Sequence, residues 1–225
     1  TWERLVELAG GGDLEARFLS LWCPPPYIVG CSPAVWGGAQ CSAEAVLLRT
    51  YGFSPALLEG KWLPTRWSGQ RVLAMSDCLW GALDGINESG LAASLSFGGR
   101  TVSGDGFGIP LVLRYLLETA SSTASAVAIL ERIPVHMSYS VTLLDRHSQW
   151  ATVFLNPDRP VEVTRRKAVT NVQHEVEWPE HARATRSPER LHALQEVIDS
   201  DVRSQSVVEA LLDEPLYQPA WQRGY

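Results

Sequence analysis

Cysteine is scarce and unpatterned in this chain: four occur in 225 residues, at Cys23, Cys31, Cys41 and Cys78, with no C-x-x-C pair. That spacing argues against a structural zinc site or a disulfide scaffold, which need paired or regularly spaced thiols. Positive charge is also in deficit. Nineteen Lys and Arg against 25 Asp and Glu leave a net charge of −6, whereas nucleic-acid binders draw most of their affinity from clustered cations. The one basic run, Arg165-Arg166-Lys167, reads as a solvated strand end. No apolar stretch approaches the roughly 20 residues that cross a bilayer. The first residues lack the basic-then-apolar layout of a secretory signal. No nucleic-acid or membrane partner and a cytoplasmic location are therefore expected.

What is present is ordinary globular material, 45% hydrophobic and 20% charged, in a length that suits one domain better than two. Apolar residues at Leu5, Leu8, Leu14, Phe18 and Leu21 predict helix over 1–21, broken at Gly10-Gly11-Gly12 and ended by Pro24-Pro25-Pro26. Strand character from Tyr27 to Trp36 and from Ala45 to Phe53 predicts a hairpin. Further strands are expected at Arg71 to Met75 and Gly90 to Phe97, with Asp84-Gly85-Ile86-Asn87 as a turn between them. Pro110 opens a helix to Thr119, and a second follows at Ala124 to Arg132. A meander over 136–165 and helices at 188–198 and 204–212 complete the pattern. Strands, helices, strands and helices in that order predict a layered α+β domain.

A lone cysteine in an apolar strand is usually a small buried hydrophobe. Cys31, however, sits in Gly30-Cys31-Ser32 at the start of the predicted hairpin, and Arg49-Thr50-Tyr51-Gly52-Phe53 closes the second arm eighteen residues after it. A cationic neighbour favours thiolate. Downstream lie Asp84-Gly85-Ile86-Asn87-Glu88-Ser89-Gly90-Leu91-Ala92, Leu95-Ser96-Phe97 and Thr170-Asn171. Together these segments, spread over residues 27–195, resemble the penicillin acyltransferase-type N-terminal nucleophile hydrolases, a family that includes bile salt hydrolase and acid ceramidase. The D-G-x-N-E-x-G-L-A segment is the most specific match.

The resemblance implies a four-layer αββα sandwich, with residues 1–30 as a pro-segment or small subunit and 31–225 as the catalytic domain. It implies self-cleavage between Gly30 and Cys31 and catalysis by Cys31. Arg49 would orient the thiol or lower its pKa, and Asn171 would stabilise the oxyanion. Ser96, Phe97 and Arg190 are the implied substrate-binding residues. A free α-amine, with a pKa of about 8, can take the thiol proton as a built-in general base. No metal or cofactor is required, and the partners would be a small-molecule acyl donor with an amine or water as acceptor. Self-association into a homo-oligomer stays open.

Three positions depart from the family's pattern. Thr50 stands for its usual Asn, Gly52 for an Asp that contacts the nucleophile's amine, and Val172 for a His after Thr-Asn. Relatives usually continue into further strands past the equivalent of Tyr225, so a shortened C-terminus is expected. A degenerate binding protein and an enzyme using an uncut, internal Cys31 are the competing readings. Cys41 is the rival nucleophile, and His136, His147 and His192 are the histidines that could partner a cysteine. Gly104-Asp105-Gly106-Phe107-Gly108 reads as a flexible loop lining the substrate cleft, and Trp36, Trp67 and Trp80 as candidates to line an acyl pocket.

Overall fold

A computed structural model describes residues 2–37, 45–54, 57–200 and 204–217. Helices α1 (Trp2–Ala9) and α2 (Asp13–Ser20) are separated at residues 10–12, as the glycine run predicts. Strand β1 (Gly30–Trp36) pairs antiparallel with β2 (Val46–Gly52), so that Cys31 faces Tyr51 and Pro33 faces Arg49. Among the described residues, seven more strands form one antiparallel sheet in chain order. They are β3 (Lys61–Thr65), β4 (Val72–Asp77), β5 (Gly81–Asn87), β6 (Ala92–Phe97), β7 (Tyr139–Leu144), β8 (Trp150–Leu155) and β9 (Glu162–Thr164). Helices α3 (Ile109–Thr119) and α4 (Thr123–Leu130) join β6 to β7, and α5 (Pro179–Thr185), α6 (Ser187–Asp199) and α7 (Ser204–Ala210) follow β9.

The layers follow from which faces are apolar. Helix α3 buries Ile109, Val112, Leu113, Leu116 and Leu117 against β4, β5 and β6, and α4 covers β7 and β8. Ser122 fixes the start of α4 by a reciprocal capping box with Ser125, a device worth about 1 kcal/mol. The opposite face of the large sheet is covered by β1 and β2, and α6 lies on the outer side of β1. A second small core of Ala34, Ala168, Leu194, Leu211 and Leu216 fills the space under α6 and α7. Helix, sheet, sheet and helix thus stack as the expected αββα sandwich.

Two sequence expectations need correction. Asp84-Gly85-Ile86-Asn87 is the second half of β5, and the turn comes after it, where Gly90 N–H donates to Asn87 O at 2.9 Å. Gly85 looks like punctuation but marks a close approach of strands: a Cβ there would lie 2.7 Å from Leu73 O and 2.8 Å from Ala74 Cβ. Asn87 binds the end of α3, donating from Nδ2 to Leu117 O at 3.0 Å and Ala120 O at 2.7 Å. The 104–108 loop is pinned rather than free, and it does not line the cleft beside Arg49. Cys23 N–H donates to Gly106 O at 2.9 Å, and His136 Nδ1 lies 2.6 Å from Gly104 O. Strands β3 and β5 and helix α5 lie outside the expected elements.

Candidate active site

The alternation of backbone groups along β1 explains why the candidate residues meet. In an antiparallel pair, successive residues direct their N–H and C=O toward opposite edges. Val35 N–H donates to Lys167 O at 2.8 Å, and Val169 N–H donates to Pro33 O at 3.1 Å, so a segment at 167–169 joins β1 on the edge away from β2. Cys31 faces that same edge. Its N–H donates to Asn171 Oδ1 at 3.3 Å, and its C=O accepts from Arg190 Nη1 at 2.9 Å. Pro33 fits a buried strand here because only its carbonyl is used.

Asn171 and Arg190 form a buried knot around the start of β1. Asn171 Nδ2 donates to Val29 O at 2.9 Å and Phe97 O at 2.8 Å, tying β1 to the end of β6. Arg190 Nη2 donates to Asn171 Oδ1 at 2.7 Å and Ser187 Oγ at 3.1 Å. Its Nη1 reaches Ser32 Oγ at 2.7 Å and its Nε reaches Thr185 O at 2.7 Å. Arg190 is 1% exposed, so this side chain reads backbone geometry from inside the protein.

On the other side of the thiol, Arg49 Nη1 donates to Cys31 Sγ at 3.8 Å. The same guanidinium ion-pairs with Asp84 and lies over the Tyr51 ring at 4.5 Å. Asp84 is the partner that sequence reasoning misses; its signal is the Asp-Gly pair of the motif, which in the sequence alone reads as a turn. Burial pushes the Cys31 thiol up from its ordinary value, and Arg49 and Arg190 only partly offset it. Burial opposes the charge on Arg49 too, but Asp84 and the thiol outweigh it and keep the guanidinium cationic. With unbroken backbone through Gly30, the thiol is therefore held protonated and has no exposure to solvent.

The segment before Cys31 is what covers it. Tyr27 Oη donates to Asp77 Oδ2 at 2.8 Å and lies 2.5 Å from Tyr51 Oη, while Tyr139 Oη donates to Tyr27 O at 3.0 Å. Burial leads in raising the Tyr27 and Tyr51 hydroxyls above their ordinary range, so both stay protonated. Beside this plug a cleft of about 650 Å³ opens past Arg49 and Asp84 between β2 and the large sheet, walled by Val46, Leu47, Trp62, Met75, Ile86 and Leu144 among others.

Ser96 and Phe97 lie on β6, both fully buried, and neither lines this cleft. The Ser96 hydroxyl has no hydrogen-bond partner among the described residues. The Phe97 ring packs edge-on to Tyr139, Trp178 and His181. Trp67 and Trp80 line a separate pocket with Arg114, and Trp36 is buried. His136 bonds the 104–108 loop, His147 sits in the turn after β7, and His192 pairs with Glu196 on the exposed side of α6. The buried histidine near the knot is instead His181, stacked on Trp178 and pushed down to about 4 by burial and by Arg190. Cys41 lies outside the described residues. Among the described residues, no group of three or more His, Cys, Asp or Glu could hold a metal ion, and no helix is long and apolar enough to cross a membrane.

Residues 36–225 match the model of the acyl-coenzyme A:6-aminopenicillanic acid acyl-transferase family. The chain belongs to that family. The match begins five residues after Cys31, so the thiol itself lies just outside it. Among solved structures, the N-acylethanolamine-hydrolyzing acid amidase ortholog of Caenorhabditis elegans is similar at 14% identity and a TM-score of 0.60, over 84% of this chain and 88% of that one. A mutant of the conjugated bile acid hydrolase of Clostridium perfringens is similar at 12% identity and a TM-score of 0.50. That alignment covers 69% of this chain and 56% of the hydrolase, so the chain spans little more than half its length. These likenesses identify the αββα sandwich as the N-terminal nucleophile hydrolase fold. Comparison with curated protein sequences gives no match.

Proposed function

We propose that this acyltransferase-family protein is a cysteine-dependent amide hydrolase or acyltransferase, activated by cleavage of its own Gly30-Cys31 bond. The observation that carries the reading is the meeting of Arg49, Asn171 and Arg190 around Cys31 at the start of β1. In the first step the Cys31 sulfur attacks the Gly30 carbonyl carbon, the C–N bond breaks, and the Cys31 nitrogen keeps its proton and gains the one from the thiol. Water then hydrolyses the thioester, leaving a Gly30 carboxylate and a free Cys31 amine and thiol. Residues 1–30 are the pro-segment.

Cleavage changes the electrostatics in the direction catalysis needs. Once the 27–30 segment no longer covers it, the thiol loses the burial that holds it protonated, and Arg49 and Arg190 remain to favour thiolate. Val29 O releases Asn171 Nδ2, and that donor becomes available to the oxyanion of an incoming acyl group. Asn171 Oδ1 keeps the amine that it now holds as an amide N–H. The α-amine accepts the thiol proton, thiolate attacks the substrate carbonyl, and the leaving amine departs with that proton. Water or a second amine then takes the acyl group from sulfur.

Purified protein should be incubated with p-nitrophenyl decanoate, quenched in acid and digested. The proposal expects the decanoyl mass on the peptide that begins at Cys31, and none in Cys31→Ala. An acyl group located on Cys23, Cys41 or Cys78 would overturn it.

A further inference from the structure

Residues 27–30 meet the rest of the protein as a bound ligand would. The Tyr27 hydroxyl donates to Asp77 Oδ2 at 2.8 Å and lies 2.5 Å from Tyr51 Oη, and its ring sits 5.8 Å from that of Phe53. Two carbonyls of the same stretch are also held. Tyr27 O accepts from Tyr139 Oη at 3.0 Å, and Val29 O accepts from Asn171 Nδ2 at 2.9 Å. Val29 is 1% exposed, and Gly30 pairs with Gly52 across the first step of β1 and β2. Pro25 and Pro26, by contrast, are exposed, so the chain comes to the surface just before Tyr27.

Each group named here as a partner of this stretch belongs to 31–225 and stays behind when the Gly30-Cys31 bond is cut. The stretch lies on the acyl side of that bond, the side on which Cys31 takes its acyl group. Once it withdraws, Asp77 Oδ2 and the Tyr51 and Tyr139 hydroxyls border a space shaped by a phenol, with Phe53 against its ring face. Asp77 is 5% exposed and gives its other oxygen to Cys78 N–H at 2.8 Å. The cleft past Arg49 and Asp84, lined also by Asp145 and Arg146, lies toward Leu47 and Val46, which pair with β1 beyond Cys31, and is no part of this space.

We propose that the space filled by Tyr27, Ile28, Val29 and Gly30 is the acyl subsite of the cleaved enzyme, and that it takes peptide-like acyl groups bearing a phenol three residues before the reacting carbonyl. The inference rests on the amide reaction proposed above. The acyl main chain continues β1 opposite Gly52, in the manner of an added strand. Its phenol donates to Asp77 Oδ2, and the carbonyl of the same residue accepts from Tyr139 Oη. The Val29 contact alone is not repeated, since Asn171 Nδ2 turns to the oxyanion. A phenyl ring in place of the phenol leaves Asp77 Oδ2 with only the 3.4 Å contact to Tyr51 Oη, the situation in which polar sites discriminate best.

The test compares the 7-amino-4-methylcoumarin amides of acetyl-Tyr-Ile-Val-Gly and acetyl-Phe-Ile-Val-Gly, which differ by one hydroxyl. In turnover the thiolate attacks the glycyl carbonyl, the aminocoumarin leaves with the thiol proton, and water releases the peptide from sulfur. The expected kcat/KM ratio favours the tyrosine amide about tenfold, falls toward unity in Asp77→Ala, and is kept in Tyr139→Phe, which weakens both peptides alike. Protection of Cys31 from iodoacetamide by the two peptide acids reads the subsite in the unsubstituted cleaved protein without turnover, with the same preference expected. Turnover without discrimination would overturn the subsite and leave the amide reaction standing. Selective protection without turnover of either amide would support the subsite and overturn the reaction. Equal protection or none, a lysine peptide preferred to the tyrosine peptide, or a ratio unchanged by Asp77→Ala overturns the subsite.

Discussion

Replacing Asn171 by Ala removes one side chain that joins three parts of the fold. Five hydrogen bonds are lost: to Val29 O at 2.9 Å, to Phe97 O at 2.8 Å, from Cys31 N at 3.3 Å, from Arg190 Nη2 at 2.7 Å and from Ser187 Oγ at 3.5 Å. The 3.3 and 3.5 Å bonds are long and contribute least. Asn171 is 2% exposed, so its partners cannot turn to bulk water, and each orphaned buried group costs about 1–3 kcal/mol. Arg190 keeps its other acceptors and Ser187 is near enough to share the load. A net loss of about 4 kcal/mol follows, or roughly 10 °C in Tm for a domain of this size. The comparison is made by urea and thermal unfolding in a Cys31→Ala background, so that cleavage does not confound it. A loss under about 1 kcal/mol would show that the knot does not hold β1 to β6 and α6, and the geometric account of the site would fail with it.

Other perturbations test separate links. Gly99 has φ 77°, and a Cβ there would collide with the Asn171 carbonyl, so Gly99→Ala should lower stability by more than about 2 kcal/mol and block cleavage, read by urea unfolding and intact mass. His181 titrates at about 4 when folded against 6.5 ordinarily. Its contribution is full above its ordinary value and is lost as pH falls through that value, amounting to about 2 kcal/mol between pH 7.5 and 5. His181→Phe should flatten the urea midpoint over that window, and an unchanged slope would contradict the assignment. In the cleaved enzyme Arg49→Gln should shift the alkaline rise of Cys31 alkylation by iodoacetamide to higher pH, since the Arg49 charge favours thiolate; an unshifted profile would remove Arg49 from the thiol's electrostatics.

Much of the fold was legible because the strongest periodicities are local. The split helical pair, the hairpin, the helix opened by Pro110 and the meander after it all carry their own signals in a few residues. Strand β3 was not legible: Lys61–Thr65 includes Pro64 and is mostly exposed, so it has neither alternation nor strand chemistry, and its pairing with β4 decides the matter. The site was partly legible. Cys31, Arg49, Asn171 and Arg190 came from a resemblance, and each lies in one connected set of contacts. Asp84 was misread as turn chemistry because what its neighbour Gly85 allows, a close approach of β5 to β4, is visible only between strands. Burial of the thiol was likewise illegible: a nearby arginine argues for thiolate, and only packing shows that desolvation wins in the uncut chain.

The central claim is that the bond before Cys31 breaks. Intact mass of freshly expressed protein under denaturing conditions measures it directly, with Cys31→Ala as the uncut control. The account predicts two species whose masses sum to the precursor plus one water, the larger beginning at Cys31. A single uncut species after prolonged incubation would contradict it, and Gly52, where the family carries an aspartate, would become the first position to restore.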